Sequence, residues 1–307
     1  MAKEHTNSFR GVVGTPVTPF TKDNKVDLKT FQKLVNFLIE NGIHALSIPM
    51  HIGESLNLTM EERKKVAEAA LEAVDGRVPT MVNTSLPGTD QVVSLSRHAE
   101  KIGCSAVVVI TPYHWQPPPE AILDHFITVA SAVSIPVLGY NYPERLGVSL
   151  TLDVISKLIE HRENFVGLKD ASFNMEYFTE ACRITSELRP GFSMFVGIEY
   201  MLPSMVVGGA GSFSACGAVA PKLIHNLYHA CADGDFRRAR DFQHKLSRLW
   251  SVIKVGYPST IKAAMEIMGR PVGDTRKPIT PLGEEAKSRL RRQLAEFGIL
   301  EEEPRGW

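Results

Sequence analysis

The sequence predicts an α/β protein built on a (β/α)8 TIM barrel with a C-terminal helical extension. Three observations carry this. Eight short β-rich runs alternate with longer segments of helical period, mostly about 25 to 35 residues apart. Several runs are continuous apolar stretches, as strands of a parallel sheet buried on both faces must be. The length, 307 residues, fits one such barrel plus an extension. A doubly wound open sheet is the alternative and would usually need fewer strands. The barrel is placed at 1–220 and the extension at 221–307.

Taken in order, the strand candidates are 11–20, 45–50, 79–85, 105–112, 136–141, 165–170, 193–197 and 211–215. The first helix, Leu28 to Glu40, sets Phe31, Leu34, Val35 and Leu38 on one face. The second, to Val74, opens at Thr59 with Glu62 three residues on, the pattern of a capping box. Further helices are expected near 89–102, 119–132, 152–160 and 174–187. Residues 221–300 read as three or four more, amphipathic through Ile224, Leu227 and Cys231, then Phe242, Leu246, Trp250 and Ile253.

Composition narrows the function classes. Lys plus Arg and Asp plus Glu both number 34, so there is no basic excess for nucleic acid. No apolar run is long enough to span a bilayer. The polar N-terminus lacks the apolar core of a secretory signal, and a cytoplasmic protein is expected. Cys104, Cys182, Cys216 and Cys231 have no metal-ligand spacing and read as reduced core residues.

In a barrel of this kind the chemistry sits at the C-terminal ends of the strands. Thr18, His51, Glu54, Ser55, Asn83, Thr84, Tyr113, His114, Tyr140, Asn141, Lys169, Asp170 and Ser214 fall there. Lys169 ends the apolar run Phe165–Leu168. Desolvation at the barrel mouth lowers a lysine's pKa, and the neutral amine can attack a carbonyl to form an imine. A lysine that pairs with Asp170 or reaches to solvent fits the position equally well. Tyr140 ends the preceding strand, where its phenol could relay the protons of imine formation or simply pack at the rim.

The segment Tyr140-Asn141-Tyr142-Pro143-Glu144-Arg145-Leu146-Gly147, read with Gly167-Leu168-Lys169-Asp170, resembles the dihydrodipicolinate synthase and N-acetylneuraminate lyase family of class I aldolases. Val17-Thr18-Pro19-Phe20, Gly53-Glu54-Ser55, Thr111-Pro112-Tyr113 and Gly208-Gly209-Ala210-Gly211 fit too, and the likeness runs from about residue 8 to 298. The resemblance implies a Schiff base between Lys169 and pyruvate or another 2-oxo acid, with Tyr140 relaying protons. It implies that the loop after the second strand, Ile52 and Gly53, binds the acid's carboxylate, with Thr18 nearby. It implies a homotetramer and no metal or other cofactor. Phe213 and the residues after it would wall the imine; a phosphate loop at glycines 208, 209 and 211 is the weaker reading, since no Lys or Arg lies in that loop.

Departures from the pattern bear on substrate. His51 and Ile52 stand where the synthases usually carry two threonines, and His114 where they carry a second tyrosine that reaches across a subunit interface. His51 and His114 therefore enter the expected relay, with pKa values near 6 to 7 unless their surroundings shift them. Arg145 matches the arginine that holds the semialdehyde carboxylate in the synthases, and guanidinium suits that task. Tyr142 instead resembles some 2-keto-3-deoxy sugar acid aldolases. The positions that hold inhibitory lysine in regulated synthases are Met60, Pro87 and Gln91 here. The expected activity is carbon–carbon cleavage or condensation through a Lys169 imine. The synthase reaction, and a hydro-lyase or deaminase acting on a deoxy sugar acid, are the alternatives. A non-catalytic 2-oxo acid sensor is disfavoured because it would need neither Lys169 nor Tyr140.

Overall fold

In a computed structural model that describes residues 8–307, eight parallel strands close into a barrel in sequence order. They are β1 Gly11–Gly14, β2 Ala45–Ile48, β3 Thr80–Asn83, β4 Ala106–Ile110, β5 Val137–Asn141, β6 Phe165–Asp170, β7 Ser193–Val196 and β8 Gly211–Ser214. Pairing of β1 with β8 completes the ring and leaves no free edge. Every strand residue is buried, which is why these runs are mainly apolar, with polar residues such as Asn83, Asn141, Lys169, Asp170 and Ser214 at the strand ends. The first run is strand only as far as Gly14, because Pro16 and Pro19 have no N–H for a ladder. Gly211 is required where β8 passes β1, since a Cβ there would run into the Gly11 carbonyl. The glycines at 208, 209 and 211 thus serve close packing at the start of β8, away from the strand ends that carry the site.

Around the barrel lie α1 Leu28–Glu40, α2 Met60–Val74, α3 Thr89–Lys101, α4 Pro119–Ser131, the short α5 Pro143–Leu146, α6 Leu152–His161, α7 Met175–Leu188 and α8 Met201–Val206. The capping box expected at Thr59 is present. Thr59 accepts from the Glu62 N–H, and the Glu62 carboxylate accepts from the Thr59 N–H. After β8 come α9 Pro221–Ala232, α10 Phe236–Ile253, α11 Ser259–Ile267, α12 Glu284–Glu296 and the single turn α13 Ile299–Glu302. Helix α9 packs against β1 and α10, so the eighth helix of the ring belongs to the segment assigned to the extension. Periodicity marks a helix but not what it packs on. Two buried charges weld the extension to the barrel. Arg270 donates to the Ala218, Val219 and Pro304 carbonyls, and Glu303 accepts the Lys222 and Leu223 N–H groups at the start of α9. All four cysteines are buried and unpaired. No helix among the described residues is long and apolar enough to cross a membrane.

Candidate active site

Lys169 and Tyr140 are direct register partners on β6 and β5. Parallel neighbours at one register position point the same way, so both side chains enter the mouth of the barrel. The Lys169 Nζ lies 3.6 Å from the centre of the Tyr140 ring and 5.4 Å from that of Phe213 on β8. Both residues are buried. Burial pushes the Lys169 amine down to about 7, opposed by the carboxylates of Glu199 and Asp170. Burial likewise drives the Tyr140 phenol well above its ordinary value, so it keeps its proton at neutral pH. Asp170 does not form a salt bridge with Lys169. It takes Asn141 Nδ2 at 2.8 Å and Ser172 Oγ at 2.8 Å, while burial raises its own pKa to about 6.

The turn after β2 carries the next group. His51–Gly53 form one 3-10 turn that ends at Glu54, a left-handed residue at φ 53°. His51 sits 5.6 Å from the Tyr140 ring and 6.2 Å from the Tyr142 ring, and the two tyrosines stack at 5.8 Å and 17°. Three aromatic rings therefore line one wall beside the amine. The His51 imidazole does not titrate near neutrality. Burial first, then the positive charges of Lys169, Arg63 and Arg145, push it down to about 3. Ile52 and Gly53 are buried in the same turn, and the Thr18 hydroxyl donates to the Gly53 carbonyl at 2.6 Å. Thr18 thus fixes the turn rather than presenting its proton to the mouth.

Glu54 anchors that turn from behind. It pairs with Lys262 of α11 at 2.7 Å, both side chains being almost fully buried, and accepts the Arg276 N–H at 2.8 Å. Arg145, on α5, is exposed at the rim within electrostatic reach of His51. His114 is also exposed in the single chain, at φ 78°, with its ring edge-on to Trp115. It does not join the group around Lys169.

Several contributors escaped the sequence reading. Glu199, just past β7, is buried and accepts the Ala215 and Cys216 N–H groups at 2.8 Å and the Ser214 hydroxyl at 3.2 Å. Gly197 gives the lysine room, since a Cβ there would sit 2.7 Å from Lys169 Cε. Arg63, buried on α2, donates to the Ser85 and Asn83 carbonyls at 3.0 Å. Tyr257 reaches the same region from between α10 and α11, with Tyr142, Glu199 and Arg145 around its phenol. Sequence spacing offers no signal for these, because each arrives from a distant segment. Among the described residues no group of three or more His, Cys, Asp or Glu is placed to hold a metal ion. A cavity of about 950 Å³ is lined by none of Lys169, Tyr140 or His51 and lies beside the site, against Phe20, Arg276 and the 271–282 arm.

This arrangement can hold a neutral amine against a phenol in a buried, aromatic pocket. The chain matches the profile of the dihydrodipicolinate synthetase family over residues 8–297. It belongs to that family. Among its family relatives, the probable 2-dehydro-3-deoxy-D-pentonate aldolase YjhH of Escherichia coli K12 is 32% identical over 95% of this chain and 98% of its own. The 4-hydroxy-tetrahydrodipicolinate synthase of Methanopyrus kandleri is 33% identical over 96% of this chain and 98% of its own. The fold matches crystal structures of family members throughout. YagE, a prophage protein of Escherichia coli K12 solved in complex with pyruvate, superposes with a TM-score of 0.92 at 30% identity, over 95% of this chain and 99% of its own. Dihydrodipicolinate synthase from Aquifex aeolicus gives 0.90 at 32%, with 95% and 99% covered. The chain is thus a lyase of the aldolase and synthase type.

Proposed function

We propose that Lys169 forms a Schiff base with pyruvate or a related 2-oxo acid and that the protein makes or breaks a carbon–carbon bond through it. The observation that carries this is the buried Lys169 amine, 3.6 Å from the ring of its register partner Tyr140. The amine adds to the C2 carbonyl, and loss of water gives the iminium. In the cleavage direction the C3–C4 electron pair moves into the iminium, the C4 hydroxyl proton leaves, and an aldehyde departs. The enamine then takes a proton at C3, and hydrolysis frees the acid and the lysine. Tyr140, protonated and beside the amine, relays protons to and from the carbinolamine. The turn at Ile52 and Gly53 takes the acid's carboxylate, Phe213 closes the opposite wall, and no metal or other cofactor takes part.

His51 supports this as a neutral imidazole that both donates and accepts. An acid or base that titrates near neutrality, which elimination would use, is absent at this position. The substrate we favour is a hydroxylated 2-oxo acid of the deoxy sugar acid kind, its chain lying along the Tyr142 and His51 rings. The likeness to a probable pentonate aldolase agrees with this. Arg145 at the rim suits a distal carboxylate and keeps the synthase reaction as the second reading. Exposed Leu56, Trp115, Phe173 and Tyr200 around the mouth suit a homotetramer, with His114 turned toward a neighbouring copy. We place this enzyme in the cytoplasm.

The test is reduction with borohydride in the presence of pyruvate, then peptide mapping. A stable added mass on the Lys169 peptide, absent in Lys169→Ala, is the expected result, and labelling that survives the substitution overturns the mechanism. Steady-state comparison of pyruvate plus aspartate semialdehyde against 4-hydroxy-2-oxo acids and deoxy sugar acids decides the substrate. A kcat/KM for the semialdehyde of about 10⁴ M⁻¹s⁻¹ or more, unmatched by the others, restores the synthase.

A further inference from the structure

The cavity of about 950 Å³ beside the catalytic mouth is large enough for a small-molecule ligand. One wall is the loop after β1, with Phe20, Lys22 and Asn24; a second is Asn57 to Glu62; the third is α11 with the 271–282 arm. Five cationic side chains line it, Lys22, Lys262, Arg276, Lys277 and Lys287, against three acidic ones, Glu62, Glu266 and Asp274. Three of the cations are already matched: Lys262 by Glu54, Arg276 by Glu62 and Lys287 by Glu266. Among the described residues Lys22 and Lys277 have no ion-pair partner, and both are exposed. The groove thus presents two uncommitted ammonium groups beside a fixed guanidinium.

Its walls are wired to the catalytic turn. The Arg276 guanidinium reaches Glu62 at 2.6 and 2.8 Å, the Asn57 carbonyl at 3.1 Å and the Asn24 carbonyl at 2.7 Å, and lies 4.3 Å over the Phe20 ring. The backbone N–H of Arg276 holds the same Glu54 carboxylate that the Lys262 side chain holds. Glu54 is the left-handed residue that ends the His51–Gly53 turn. A ligand that draws on Lys262 therefore competes directly with the anchor of that turn, and one that draws on the Arg276 guanidinium pulls on the backbone whose N–H holds Glu54.

We propose that this groove is an effector site for a small polyanion, a molecule with several carboxylate or phosphate oxygens, which binds across Lys22, Lys277 and Arg276. Occupancy weakens the hold on Glu54, loosens the turn and raises KM for the 2-oxo acid with little change in kcat. Binding is independent of the reaction proposed above; the KM effect rests on that reading's assignment of Ile52 and Gly53 to the substrate carboxylate.

The experiment is calorimetric titration of the full-length protein with citrate and, separately, with inorganic phosphate, each with and without saturating pyruvate. The probe that binds identifies the source of the anionic oxygens. Expected are saturable binding of at least one probe that pyruvate does not displace, and a loss of about tenfold or more in affinity in the Lys22→Glu, Lys277→Glu double variant. Both substitutions lie on the exposed surface, so folding is retained, and circular dichroism checks it. Failure of both probes to bind at millimolar concentration overturns the site. So do unchanged affinity in the double variant and displacement by pyruvate. Binding that leaves KM for the 2-oxo acid unaltered overturns the coupling to the turn.

Discussion

Replacing Lys169 with methionine should stabilise the fold, and by an amount that depends on pH. In the unfolded chain the lysine takes its proton at the ordinary value of 10.5, and in the fold at about 7. The gap of 3.5 units corresponds to about 5 kcal/mol. The sign follows from proton uptake. Between pH 7 and 10.5 the unfolded chain holds the proton and the folded chain does not, so stability rises with pH across that window. Below pH 7 the fold bears the full cost of a buried ammonium. The cost is about 4 kcal/mol at pH 7 and about 2 kcal/mol at pH 9. Methionine matches the shape and carries no charge, so the Lys169→Met chain lacks this dependence. Asp170, with its raised pKa, is present in both chains and largely cancels in the difference. Urea unfolding followed by circular dichroism at several pH values measures it. The variant's advantage should shrink by about 2 kcal/mol from pH 7 to pH 9. A difference that stays flat over that range would refute the argument that burial unprotonates Lys169. The same titration should appear in kinetics, with imine formation losing tenfold per unit below pH 7 and levelling off above it.

Tyr140→Phe keeps the ring under Lys169 and removes only the hydroxyl; turnover should fall by about 10² to 10⁴, while pyruvate binding, read by calorimetry, changes little. Gly197→Ala forces a methyl to within 2.7 Å of Lys169 Cε, so kcat should drop in steady-state assays with little loss of thermal stability. Glu54→Gln leaves Lys262 charged and buried without its partner and should cost about 3 to 5 kcal/mol in urea unfolding. Lysine at millimolar concentration should leave the rate unchanged, because Met60, Pro87 and Gln91 offer no charged or complete polar set for an amino acid; clear inhibition, with lysine bound beside these residues, would show that these positions are misaligned.

The barrel was legible because its signals are local. Parallel strands buried on both faces are largely apolar, so Ala106–Ile110 and the run Phe165–Leu168 announce themselves, and the Thr59 cap with Glu62 is complete within four residues. Lys169 and Tyr140 were legible for the same reason. A polar residue that ends an apolar strand must lie at a rim, and adjacent strands of a barrel are neighbours. His51 was found by its place after β2, but not its protonation. Its pKa of about 3 comes from burial and from the charges of Lys169, Arg63 and Arg145, which three separate segments bring together. The same holds for Glu199, whose work is done on Ser214–Cys216, and for Glu54, whose partners Lys262 and Arg276 lie more than 200 residues away. The amino-acid sequence by itself determined the element order and the place of Lys169 and Tyr140 at neighbouring strand ends, since periodicity and strand ends are properties of short windows. Only the tertiary structure decided the charge state of His51, the anchoring of its turn and the entry of Tyr257 into the site. Desolvation and Coulomb forces depend on distances through space, which spacing along the chain does not encode.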